Sequence, residues 1–214
     1  MSVDLSALLD PARCVLVTQE CQNGVIGEPS VLPQLAAVAA PIRPRLGTLA
    51  AAARVAGVPV VHCLAARRTD GRGANTNARL FLGVAKAPVQ LTVGSPAAHV
   101  VEELGPEASD FSITRLHGLG PFSGTDLDAI LRNLGATTIV GVGVSINVGM
   151  TNFVMDAVNL GYQFVLPRDA VAGVPADYAD AVIDNTLALL ATITTTDEVL
   201  EHWGTPASTI DKEQ

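Results

Sequence analysis

Aromatic side chains are scarce in this chain, with five Phe, two Tyr and one Trp among 214 residues. Platforms that stack nucleic-acid bases are built from such rings, so that class of function has little to stand on. Positive charge is scarce too: 13 Lys and Arg face 21 Asp and Glu, for a formal net charge of −8. That balance argues against nucleic-acid and membrane partners, whose phosphates it repels. No apolar run reaches the roughly 18 residues that span a bilayer. The opening MSVDLSALLDPAR lacks the basic start and long apolar block of a signal peptide. Cysteine is limited to Cys14, Cys21 and Cys63, widely spaced and odd in number. This is the usage of reduced thiols in a cytoplasm, not of a disulfide framework. The His and Cys residues show no metal-ligand spacing, so no metal is expected. Glycine is plentiful but falls in neither a G-x-G-x-x-G nor a phosphate-loop pattern, so no nucleotide or other cofactor is expected.

What the chain has is apolar bulk: 49% hydrophobic and 16% charged residues, with a mean hydropathy of +0.38. No linker or charge run divides it, so residues 1–214 read as one domain with a polar, frayed tail from about 206. Apolar runs at Cys14 to Thr18, Val58 to Leu64 and Thr138 to Val142 read as strands buried on both faces. Asp110 to Thr114, Tyr162 to Pro167 and Ala191 to Thr194 supply three more. Between them, helical spacing runs through Pro33 to Ala56, broken or restarted at Pro41 and Pro44. It recurs in Thr125 to Leu134, where Thr125 and Asp128 suggest a capping box, in the segment closed by Gly161, and in Pro175 to Leu190. Ala65 to Gly94 is irregular, the length of a binding loop. The alternation predicts an α/β fold: a single-domain, Rossmann-like, six-stranded and mostly parallel sheet with helices on both faces.

In such a sheet the carboxyl ends of the strands form the ligand edge. Those ends offer Glu20, His62 and Cys63, Arg115 and His117, Ser145 and Asn147, and Asp169. An acid beside an Arg, facing a turn with free N–H groups, has the parts needed to protonate a substrate and hold the resulting charge. Each residue also has a plain structural reading. Glu20 would bond neighbouring loops, and His62 would be a satisfied interior side chain. Cys21 and Cys63 would be buried thiols, and Ser145 and Asn147 helix caps. His117 would tether a loop, and Arg67, Arg68 and Arg72 would sit in a solvated one.

Several segments together resemble the isochorismatase-like, or cysteine hydrolase, superfamily. They are Glu20-Cys21-Gln22-Asn23, Phe122 to Leu127, Gly143 to Gly149, Asp156 to Tyr162 with Arg168-Asp169-Ala170, and Thr195 to Val199. The resemblance implies hydrolysis of an amide, imide or vinyl ether in a small metabolite, by a homo-oligomer (dimer or tetramer). It also implies a cis peptide at Val144–Ser145. The superfamily's Asp, Lys and Cys fall on Glu20, Arg115 and Gly149. The spacing from Arg115 to Phe122 is one residue longer than usual, so Leu116 or His117 shares the Lys place. Glycine at the Cys position matches isochorismatases of the phenazine pathway, although the Gln they carry after the second strand falls near Ala65. With no thiol at the turn, the acyl-enzyme route is closed. The expectation is acid/base chemistry on an anionic metabolite, with Glu20 and Arg115 catalytic and Ser145, Asn147, Gly149, His117 and Phe122 around the substrate. A silent binding or regulatory protein, and a displaced Cys21 or Cys63 nucleophile, are the alternatives.

Overall fold

A computed structural model describes residues 4–204; the tail expected to fray from about 206 lies outside them. Seven parallel strands form one sheet: β1 (Cys14–Gln19), β2 (Val60–Ala65), β3 (Phe111–Arg115), β4 (Thr138–Val144), β5 (Gln163–Pro167), β6 (Val171–Ala172) and β7 (Thr192–Thr194). Their order is β3-β2-β1-β4-β5-β7, with β6 paired to the end of β4. Successive side chains of a strand point to opposite faces, so an unbroken apolar run feeds two cores. Cys14 and Leu16 join one core, Val15 and Val17 the other.

The helices are α1 (Leu5–Leu8), α2 (Asn23–Ile26), α3 (Pro33–Ala39), α4 (Arg43–Ala56), α5 (Arg79–Val84), α6 (Leu127–Asn133), α7 (Thr151–Asn159), α8 (Ala176–Asn185) and α9 (Thr196–Trp203). Leu46, Leu49 and Ala53 of α4 pack with Val199 and Trp203 of α9 in one core. Leu127 and Leu131 of α6, Phe153 of α7 and Val182 of α8 fill the other. No helix among the described residues is long and apolar enough to cross a membrane.

As expected, the helical stretch from Pro33 breaks at Pro41 into α3, a 3-10 turn and α4, which carries Pro44 in its first turn. Three details differ from the sequence reading. The sheet has a seventh strand, β6, whose two residues are too few to show a period. The long loop carries a helix of its own, α5, with no buried residue. The capping box at Thr125 does not form: Thr125 Oγ1 accepts from the Leu127 N–H at 3.2 Å, while Asp128 turns to Tyr162 and Arg132.

Candidate active site

The chain leaves β1 for β2 and β3 on one side and resumes with β4 on the other, so strand order reverses between β1 and β4. In open parallel sheets that reversal opens a crevice at the carboxyl edge. Glu20, one residue past β1, stands there with φ of +54°, the one non-glycine residue in the left-handed region among those described. Its N–H donates to the Cys63 carbonyl at 2.9 Å, and its carbonyl accepts from Gln22 at 2.8 Å. Gln22, fully buried, then pins this turn to its neighbours. Its amide donates to the carbonyls of Ala65 (2.9 Å) and Ala98 (2.8 Å) and accepts from the Ala65 N–H (2.8 Å).

The Glu20 carboxylate accepts a hydrogen bond from Arg115 Nη2 in an ion pair. Only 4% of the Arg115 side chain is exposed, against 18% of Glu20. Arg115 Nε leans on the Gly118 carbonyl at 3.4 Å, and Nη1 is buried with no acceptor.

The opposite wall is the turn after β4. Gly143 has φ of +111°, and a Cβ there would collide with the Gln19 carbonyl of β1. The Val144–Ser145 peptide is cis. A π-helical turn, Ile146–Met150, leads into α7. Ser145 and Asn147 cap nothing. Ser145 Oγ donates to Asn147 Oδ1, and Asn147 Nδ2 donates to the Val174 carbonyl at 2.9 Å. The Ser145 carbonyl instead takes the N–H groups of Val148 (3.1 Å) and Met150 (3.0 Å), so these two are not open to a ligand. Gly149 faces the crevice, and a Cβ there would meet Gln19 Nε2 at 3.2 Å and the Leu119 carbonyl at 3.4 Å.

A cavity of about 350 Å³ lies between Glu20 and Ser145, Asn147, Val148 and Gly149, walled by Leu32, Leu35 and Leu119. An adjoining lobe of about 140 Å³ runs from Glu20 past Arg115 and His117 to Arg67 and under α5. The structure therefore gathers Glu20, Arg115, His117, Ser145, Asn147 and Gly149 around one space. His117 is exposed on the turn after β3. Phe122 is not in this group; it packs against Phe153 and Tyr162 in the core, with ring centroids at 5.5 and 6.0 Å. Asp169 is elsewhere too, accepting from the Thr196 N–H at 2.8 Å and pairing with Arg45 at 3.1 Å. The apolar walls, Val31, Leu32, Leu80 and Leu119, escaped the sequence reading. The run Leu80-Phe81-Leu82, isolated in a polar loop, was the one available signal for them.

All three cysteines are buried and unpaired. Burial pushes the Cys14 thiol up to about 11 and Cys63 to about 12, and raises Cys21 as well. None is a ready thiolate at neutral pH. His62 is an interior side chain bonded to Thr18 Oγ1 (2.8 Å) and Asp110 (3.2 Å). Among the described residues no three His, Cys, Asp or Glu side chains gather as a metal cluster.

The family model described as the isochorismatase domain matches residues 14–198. Among curated proteins, the isochorismatase family protein YwoC of Bacillus subtilis is 34% identical over 105 residues, 49% of this chain and 55% of that protein. The chain thus spans about half the length of that relative. The isochorismatase family protein YecD of Escherichia coli O157:H7 is 30% identical over 163 residues, 73% of this chain and 80% of YecD. A crystal structure of a cysteine hydrolase from Pseudomonas syringae pv. phaseolicola superposes with a TM-score of 0.78 and 26% identity, covering 90% of this chain and 93% of that one.

Proposed function

This chain belongs to the isochorismatase family, and from that membership we propose that it hydrolyses a small anionic metabolite by acid/base chemistry at Glu20, without a covalent thiol intermediate. The observation that carries the reading is the Glu20–Arg115 ion pair at the strand-order reversal, facing a turn that presents Gly149 and no thiol. Glu20 donates a proton to the bond that breaks, a vinyl ether or an amide or imide, and takes one from the attacking water. Arg115 stays charged throughout, because a guanidinium does not shuttle protons; it orients Glu20 and stabilises developing negative charge. The turn from Ser145 to Gly149 lines the same cavity from the other wall. Arg115, not Leu116 or His117, takes the place of the family's Lys in this reading. The reading extends to a homo-oligomer, dimer or tetramer, in the cytoplasm.

A second reading, a silent binding or regulatory protein, is favoured by the same missing thiol. One experiment separates the two: purified protein is offered isochorismate and a panel of small amides and imides, with and without iodoacetamide. Turnover unaffected by the alkylator and reduced at least ~100-fold in a folded Glu20→Gln variant is expected. Ligands that raise Tm yet come back unchanged would favour the silent protein. Turnover that survives Glu20→Gln and is lost to iodoacetamide would overturn the acid/base assignment.

A further inference from the structure

We propose that Arg67 anchors a carboxylate of the substrate, making the pocket selective for small monocarboxylates with an apolar body. The proposal names the substrate class for the site assigned above and rests on that assignment only for calling the ligand a substrate.

Arg67 follows β2 and is held on both sides of its peptide. Its N–H donates to the Leu91 carbonyl at 2.8 Å, and its own carbonyl accepts from Val93 at 3.0 Å. The guanidinium is propped by a neutral group: Nη1 donates to Gln90 Oε1 at 2.6 Å, and Gln90 in turn donates to the carbonyls of Val84 (3.2 Å) and Ala87 (2.6 Å) at the end of α5. Nη2 lies under the turn at Gly71, where a Cβ would come within 2.7 Å of it. So the side chain is positioned without being neutralised. Its sequence neighbour Arg68 is bound to Asp70 at 2.7 Å, and Arg115 is bound to Glu20. Among the described residues no carboxylate pairs with Arg67.

With Glu20 as the carboxylate that pairs with Arg115, the charged side chains lining the lobe give the ligand's sign. Glu20 and Arg115 cancel, and Arg67 leaves one positive charge in surplus. That surplus stands against a whole-chain charge of −8, so it is a local feature, aimed at one anionic group. The walls between Arg67 and Glu20 are Val25, Leu32, Leu80, Phe81, Val84 and Leu91. Beside them the lobe is lined by only two neutral polar side chains, Asn75 and His117, too few for a ring of hydroxyls, whose desolvation would go largely uncompensated. A dianionic phosphate would exceed the single surplus charge. A carboxylate on an apolar frame satisfies both constraints, and the fork of a guanidinium fits its two oxygens.

The test is calorimetric binding of cyclohexanecarboxylate and hexanoate against their neutral amides, cyclohexanecarboxamide and hexanamide, on the intact chain at low salt. Each carboxylate is expected to bind at least tenfold tighter than its amide. Arg67→Gln removes that preference, Arg67→Lys keeps part of it, and Arg68→Gln leaves it as in the wild type. Binding is read without turnover, which separates this outcome from the fate of the acid/base assignment. Equal binding of acids and amides, a preference that survives Arg67→Gln, or no measurable binding of any of the four overturns the proposal.

Discussion

Glu20 holds its carboxylate at the crevice in a backbone conformation that costs a non-glycine residue roughly 1 kcal/mol or more. A residue kept there against its own preference is held by its surroundings, here Cys63 and Gln22. The two glycines of the facing turn make a matched pair for testing what the crevice tolerates. At Gly143 an added methyl has both a left-handed φ and the Gln19 carbonyl against it. Gly143→Ala should therefore lose about 2 kcal/mol or more. At Gly149 the nearest atom is the end of a side chain, so Gly149→Ala should stay within about 1 kcal/mol of the wild type. Urea titration of the two variants reads the contrast, and equal losses would show that the β1–β4 approach at Gly143 is looser than described. The identities of Glu20, Arg115 and Gly149 were legible in the chain through the family resemblance and their strand-end positions. The left-handed turn at Glu20 was not, because nothing local requires it; the β1–β2 hydrogen bonds impose it. Phe122 was misassigned for a similar reason. A motif gives a position along the chain but not which way a side chain faces, and the second core claimed the ring.

At the scale of elements, β1, β2, the start of β3 and α4 are fastened by one buried polar chain. Thr18, His62, Asp110 and Arg54 connect in that order, the last as a bidentate pair at 3.1 and 2.7 Å. With Asp110 accepting, the His62 proton sits on Nε2, and Nδ1 accepts from the Thr18 hydroxyl. Burial pushes the His62 imidazole below its usual 6.5, against the pull of Asp110. Burial opposes the Asp110 charge, but the hydrogen bonds from Arg54, the Glu107 N–H and His62 outweigh it and hold the carboxyl below 3.8. Both folded values are depressed, so both groups contribute stability that is present above the unfolded pKa and lost as pH falls. His62 acts first: below pH 6.5 the unfolded chain takes up a proton that the folded chain resists. Tm is expected to be level from pH 8 to 7 and to fall below 6.5, with His62→Gln flattening the first part of that fall. A wild-type profile that rises on acidification would contradict the neutral His62. The strands joined here were legible as apolar runs, and His62 as interior. The join itself was not, because it links Thr18, His62, Asp110 and Arg54 across four separate elements. The two-residue β6 and α5, which has no buried residue, failed on length and on periodicity, the signals that sequence reading uses.

Across the whole molecule, stability is unevenly spread, and the uneven part lies over the site. β1 and β4 are buried along their full length and pair with each other through six residues. In the segment between β2 and β3, residues 69–90 roof the Arg67 lobe, and none of them is buried. Asn75 Oδ1 accepts from the Gly118 N–H at 2.7 Å, Gln90 braces α5, and the single bridge at Arg67 and Thr92 anchors the return. None of the six residues of α5 is buried, and Leu80 and Leu82 are 39% and 46% exposed. A region with so little apolar burial opens at a small fraction of the global unfolding free energy. Amide exchange should therefore be fastest in Arg79–Val84 and slowest in β1 and β4, by several orders of magnitude. Leu80, Phe81 and Val84 of the roof line the Arg67 lobe, so a ligand there should slow exchange in the roof far more than in the sheet. Mass-spectrometric exchange with and without hexanoate measures both. Protection of α5 on binding, absent in Arg67→Gln, would tie the least stable part of the fold to the charge beneath it. Uniform exchange across roof and sheet would mean that the roof is as firmly folded as the strands and does not move to admit ligand.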